Sequence, residues 1–104
     1  MIYEMRTYRL RVGKLNEFLG LFEREGLPII TRYVKLVGYW TTEIGELNTA
    51  IHVWAHDSLD GRAANRAALM RDPDWGPRYL AHALPLIEHQ ETRIMLPTTF
   101  SPLQ

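Results

Sequence analysis

From Ile2 to Leu10 polar and apolar residues are mixed on both sides of a two-residue repeat. Tyr3, Met5 and Thr7 fall on one side of an extended segment, and Ile2, Glu4, Arg6, Tyr8 and Leu10 on the other. This period predicts a strand, and because neither side is uniformly polar, both faces are expected to meet protein. Gly13 breaks the pattern. Leu15, Phe18, Leu19 and Phe22 then recur at i, i+3, i+4 and i+7, the spacing of an amphipathic helix. Gly26-Leu27-Pro28 interrupts that helix, and Pro28 suits the first turn of a continuing piece through about Leu36, with Ile29, Ile30, Tyr33 and Val34 on its apolar side.

Gly38 to His56 reads GYWTTEIGELNTAIHVWAH, two runs rich in β-branched and aromatic residues, Tyr39 to Ile44 and Thr49 to His56, around a turn holding Gly45 and Asn48. In the second run Ile51, Val53 and Ala55 share one face, and His52, Trp54 and His56 share the other. The aliphatic face is expected to lie under the helices. Ser58 is a good N-cap for a helix carrying Leu59, Ala63, Ala67 and Met70 on one side, with Arg62 and Arg66 one turn apart. Asp72-Pro73 should end it, with a short helix from Trp75 to about Ala83 following and Pro85 closing that piece. Leu86 to Leu96 reads as a last strand before Pro97 and a tail.

The order is β, α, β, β, α, β. With right-handed connections this gives an α+β, ferredoxin-like sandwich, a four-stranded antiparallel sheet in the order 4-1-3-2 with both helices on one face. The other face is left bare. On the parity expected here it carries His52, Trp54 and His56, too apolar a patch for plain surface, and a second copy packed sheet to sheet is the simplest cover. The chain length of 104 residues, 46% of them hydrophobic, fits a single domain over residues 1–104.

Charge and composition remove several functions. Lys plus Arg equals Asp plus Glu at 12 each, with no basic stripe, so neither nucleic acid nor an anionic membrane is an expected partner. Cysteine is absent, which removes disulfides and thiolate chemistry. The N-terminus lacks the basic-then-apolar pattern of a secretory signal, and no apolar run approaches the roughly 20 residues of a membrane span. A soluble, cytoplasmic protein is expected. The only serines, Ser58 and Ser101, sit at a helix cap and in the tail, which disfavours a serine triad. No phosphate-binding glycine motif and no H-E-x-x-H occurs, so no cofactor is expected.

Acid/base chemistry by His, Glu, Tyr or Arg in a pocket is what the residues leave open. His52 and His56 share a strand face, but four residues at strand rise put their Cα atoms about 13 Å apart, too far to share one metal. Glu43 lies across the turn from His52, and a carboxylate beside an imidazole would orient the ring as a general acid or base. Glu43 solvated at the turn, and His52 hydrogen-bonded in a structural role, are the alternatives. His89 with Glu91, and Glu88 with Gln90, share faces of the last strand and read as edge polarity. Arg62 and Arg66 repel each other at i, i+4 unless acids or an anion offset them. Salt bridges to the Asp72-Pro73-Asp74-Trp75 turn are the first expectation, and an anionic ligand is the second.

The strand Tyr3-Glu4-Met5-Arg6-Thr7-Tyr8, the Gly13-Lys14-Leu15 helix entry, and Gly38 to Asn48 running into His52-Val53-Trp54 resemble the NIPSNAP family. Arg62, Arg66, Asp72-Pro73-Asp74-Trp75 and Ile94-Met95-Leu96-Pro97 extend the resemblance over nearly the whole chain. It implies a dimeric α/β barrel, two ferredoxin-like sheets facing each other around a cavity. Relatives of that fold include cofactor-independent monooxygenases, haem-degrading enzymes and muconolactone isomerase-like proteins, and fold membership does not fix function. Two readings follow. In the first, a small organic molecule binds in a pocket at the dimer interface, for oxygenation or isomerisation, with His52 and Glu43 as catalytic candidates and Arg6, Tyr8, Trp40, Trp54 and His56 lining it. In the second, the chain is a non-catalytic binding or assembly module.

Overall fold

A computed structural model describes residues 1–104. Strand β1 (Ile2–Leu10) leads into helix α1 (Leu15–Leu21), a π-helical turn (Phe22–Gly26) and α2 (Leu27–Ile30). The hairpin β2 (Lys35–Thr41) and β3 (Thr49–His56) follows, then α3 (Leu59–Arg71), a second π-helical turn (Trp75–Leu80), α4 (Ala81–Ala83), and β4 (Ile87–Met95) after one 3-10 turn. The four strands form one antiparallel sheet in the order β2-β3-β1-β4, the expected ferredoxin-like topology.

Local chemistry sets most boundaries. Ser58 caps α3, its Oγ accepting from the Gly61 amide at 3.0 Å. The helix stops at Arg71, before Asp72-Pro73. The helical piece after Pro28 ends at Ile30, not near Leu36. The Thr31 hydroxyl bonds the Leu27 carbonyl at 2.7 Å, and Lys35 and Leu36 pair instead with Ala55 and Trp54 of β3. At the other end β2 finishes at Thr41, and Asn48 reverses the chain with φ 56°.

The register fixes which face each strand residue takes. Glu4 stands opposite Trp54, Arg6 opposite His52 and Tyr8 opposite Ala50. Ala50, Trp54 and Leu10 belong to one core cluster with Phe18 and Phe22 of the first helical segment, Leu69 of α3 and Tyr79. His52, Trp54 and His56 are therefore buried beneath the helices, opposite to the sequence expectation, while the half-exposed Ile51 and Val53 lie on the bare face. Volume explains the reversal. An indole and two imidazoles fill the gap between sheet and helices, whereas the smaller side chains make a flat outer surface.

A β-bulge between Leu36 and Gly38 shifts β2, so that Tyr39 comes opposite His52 and Trp40 opposite Ile51. Trp40 thus sits on the outer face, 55% exposed, its ring laid over Gly38, and takes no part in the space beneath the helices.

The two π-helical turns meet at Gly26. A Cβ there would come within 2.8 Å of the Tyr79 ring and 2.9 Å of Phe22. Gly26→Ala is expected to destabilise the fold by about 1–3 kcal/mol through overpacking, read as a lower urea midpoint. Gly76→Ala, where an added Cβ meets nothing within 4 Å, should change stability by no more than about 0.5 kcal/mol. Equal effects would show that the π-turn contact is not tight.

Candidate functional site

Glu4 is 2% exposed, in the middle of the sheet and under α3. Its carboxylate takes a forked pair from Arg62, Nε to Oε1 at 3.1 Å and Nη2 to Oε2 at 2.8 Å. Thr92 of β4 donates to Oε2 at 2.8 Å, and Arg6 Nη1 lies 3.3 Å from the same oxygen. His56 completes the set, its Nε2 3.3 Å from Oε1 while Asn65 reaches Nδ1 at 3.4 Å. Burial alone would raise the carboxyl's pKa. The hydrogen bonds from Arg62 and Thr92 and the charges of Arg6 and Arg62 overcome it and hold the group at about 2.

Beside this network a cavity of about 200 Å³ opens between sheet and helices. Arg6, Tyr8, His52, Trp54 and His56 line it from the sheet, together with Glu4. Phe22, Trp75 and Tyr79 close it from the π-helical turns, and Arg66 and Met70 from α3. Most of the wall is apolar. Met70, Leu84 and Gln90 are exposed and mark its mouth.

His52 is held on three sides. Tyr39 stacks on it at 4.6 Å and 4°, Tyr8 meets it at 4.7 Å and 90°, and the Trp54 indole N–H donates to Nδ1 at 2.7 Å. Since Nδ1 accepts, the neutral ring carries its proton on Nε2. That atom and the Tyr39 hydroxyl are buried without a hydrogen-bond partner. Burial, reinforced by the charge of Arg6, pushes the His52 pKa down to about 3. At neutral pH His52 is thus uncharged, with its Nε2 proton free to donate. Burial also raises the Tyr8 and Tyr39 pKa values, keeping both phenols protonated.

Five of the residues singled out in the sequence, Arg6, Tyr8, His52, Trp54 and His56, therefore converge. Two do not. Trp40 is on the other face, and Glu43 is exposed in the loop beyond the end of β2, whereas His52 pairs farther back, with Tyr39. The carboxylate of the site is Glu4, 48 positions before His52 in the chain and adjacent to it only through the β1–β3 register. Its signal in the sequence was an acid on the same parity as Arg6 and Tyr8.

The arginine pair also behaves differently from the first expectation. Arg62 goes to Glu4 and not to the Asp72 turn, where Arg32 Nη1 and the Tyr33 hydroxyl take Asp72 Oδ2 at 2.8 and 2.6 Å. Arg66 has no acid within 4.0 Å and faces the cavity. Of the last-strand pairs, Glu88 meets Arg9 at 3.5 Å, while Gln90 stands at the cavity mouth. No group of three or more His, Asp and Glu side chains stands close enough to hold a metal ion, and no helix is long and apolar enough to cross a membrane.

With this geometry fixed, comparison places the chain among known proteins. The NIPSNAP family model matches residues 3–102. Human NipSnap homolog 3A is 40% identical over 95 residues, which is 90% of this chain and 38% of that protein, so the chain spans under half the length of such curated relatives. An uncharacterized NIPSNAP domain protein from Burkholderia xenovorans superposes with a TM-score of 0.94 at 44% identity, covering 98% of this chain and 99% of that one. A mutant of SnoaB, a cofactor-independent oxygenase from Streptomyces nogalater, superposes at 0.61 with 17% identity, over 97% and 96% of the two chains, a likeness of fold alone.

The Glu4 network gives stability a pH dependence. The native carboxyl binds its proton more weakly than the unfolded chain's, which titrates near 4.5, so the stabilisation is complete above that value and disappears as pH falls toward 2. It amounts to roughly 3 kcal/mol. His52 acts in the same direction, because the unfolded ring takes up a proton near pH 6.5 and the native one does not until about 3. We expect Glu4→Gln to lower stability at pH 7 by about 3 kcal/mol and to lose less than the wild type between pH 5 and 2, by urea denaturation. Parallel pH profiles would show that Glu4 does not carry the effect.

Proposed function

The chain belongs to the NIPSNAP family, and from that premise and its cavity we propose that it binds a small organic molecule between sheet and helices, as a homodimer joined through the opposite sheet face. One observation carries the reading. An apolar cavity of about 200 Å³ is lined by His52, whose ring nitrogen Nε2 is buried without a hydrogen-bond partner. A buried donor without an acceptor costs about 1–3 kcal/mol, and a bound oxygen atom removes that cost. The volume exceeds the roughly 150 Å³ in which an apolar protein cavity takes up benzene, leaving room for one substituted ring.

The site is thus moved from the space between two sheets to the space between one sheet and its own helices. A second copy remains the proposed cover of the outer face. Trp40, Ile51, Val53, Met5 and Thr7 leave there a continuous, half-exposed surface, too apolar for a face in water. Along its β4 margin Glu91 and Arg93 share the face, opposite charges that a two-fold related copy can pair with each other. The reaction classes we attach to the cavity are cofactor-independent oxygenation and isomerisation. In both, the protein's part would be to hold an anionic or enolised substrate away from water and donate hydrogen bonds to it, which suits a neutral His52.

Two measurements test this reading. In native mass spectrometry and thermal shift against a panel of aromatic acids and quinones, at least one compound should bind and raise Tm. Leu84→Trp, at the exposed mouth, should weaken it at least tenfold without lowering the Tm of the free protein. Binding untouched by that variant would place the site elsewhere. Light scattering at micromolar concentration should give twice the 12.1 kDa chain mass, and Ile51→Glu should return it to 12.1 kDa. A monomeric wild type would refute the dimer and leave the cavity standing.

A further inference from the structure

The cavity carries an imbalance of charge that its own residues do not resolve. Two guanidiniums, Arg6 and Arg66, line it with one carboxylate, Glu4, and a third, Arg62, reaches the same carboxylate from α3. Both oxygens of Glu4 are already occupied, Oε1 by Arg62 and His56, Oε2 by Arg62, Thr92 and Arg6. Arg6 spends its Nε on the Tyr8 hydroxyl at 2.9 Å. Nothing remains for Arg66, which is half-buried on α3, has no acid within 4.0 Å and faces the cavity.

We propose that the ligand is a monoanionic carboxylic acid with an apolar body about the size of a ring, its carboxylate paired with Arg66 at the mouth and its body against Phe22, Trp54 and His52. This rests on the cavity reading above and gives its ligand a chemical class. A guanidinium keeps its charge at every pH a protein survives, so the excess cannot be relieved by losing a proton. Burial and the neighbouring charges of Arg6 and Arg62 lower the Arg66 pKa, the mark of a cation held against its own electrostatics. A planar carboxylate matches the guanidinium fork with two parallel hydrogen bonds. The far wall admits no second anion. It is aromatic, and its one unpartnered imidazole is neutral and donates a single hydrogen bond.

The test uses two probes of nearly identical shape, 3-phenylpropionate and its neutral amide 3-phenylpropanamide, titrated calorimetrically at low ionic strength, where exposed charge is least screened. The wild type should bind the acid at least tenfold more tightly than the amide. Arg66→Gln should bring the acid down to the affinity of the amide, and Arg66→Lys should keep part of the preference. A ligand-free readout separates this from a structural role. Arg66→Gln should melt no lower than the wild type, because it removes a repulsion, whereas Arg62→Gln should melt lower. Equal affinities for acid and amide, both lost in Leu84→Trp, would overturn the carboxylate and leave the cavity reading intact. Acid binding unaffected by Leu84→Trp would overturn the cavity reading itself. Binding of neither probe, an acid preference surviving in Arg66→Gln, or an Arg66→Gln melting as low as Arg62→Gln would each overturn the proposal.

Discussion

A carboxylate buried under a helix is tolerated only when every lone pair finds a donor, and Glu4 meets that condition by drawing on four elements of the fold. Arg6 comes from its own strand, His56 from β3, Thr92 from β4 and Arg62 from α3. Chain segments up to 88 positions apart thereby share one charge. Removing any single donor would leave a desolvated anion short of partners, so the network specifies how α3 sits on the sheet and not merely that it packs there. The cavity lies beside this point, and Arg6 and His56, two of the side chains that satisfy Glu4, form part of its wall.

The two faces of the sheet are put to different uses, and on β3 residue size divides them. Trp54, His52 and Tyr39 occupy the inner face, where Phe22 meets Trp54 at 6.3 Å and Tyr79 at 5.8 Å in edge-on contacts. The outer face carries Ile51, Val53 and Trp40, with the chain's own tail over one end, where the Tyr3 hydroxyl bonds the Gln104 carbonyl. One π-helical turn follows α1 and the other leads into α4, and the two touch at Gly26 and Tyr79.

Element order, sheet topology and the Ser58 cap were legible in the sequence because each rests on local signals: hydrophobic period, proline position and side-chain capping. Facing was not. On β3 both parities are apolar enough to be buried, and the rule that aliphatic residues go inside ranked Ile51 and Val53 above Trp54, although the indole has more surface to hide. The bulge near Gly38, which sets Tyr39 rather than Trp40 against His52, leaves no mark in a two-residue repeat. Glu4 was visible only as an acid on a strand, since its partners come from register and from α3. Arg66 was readable as one of two repelling cations. Which of the pair had an acid waiting for it depended on contacts across the whole chain.

The proposed site lies in the space a single sheet shares with its own helices. A crystal structure of the protein soaked with 3-phenylpropionate tests that most directly. Density for the phenyl ring is expected between Phe22 and Trp54, with the carboxylate in hydrogen-bond reach of Arg66. Ordered ligand on the Ile51 and Val53 face between two copies, with the space under the helices holding none, would contradict it.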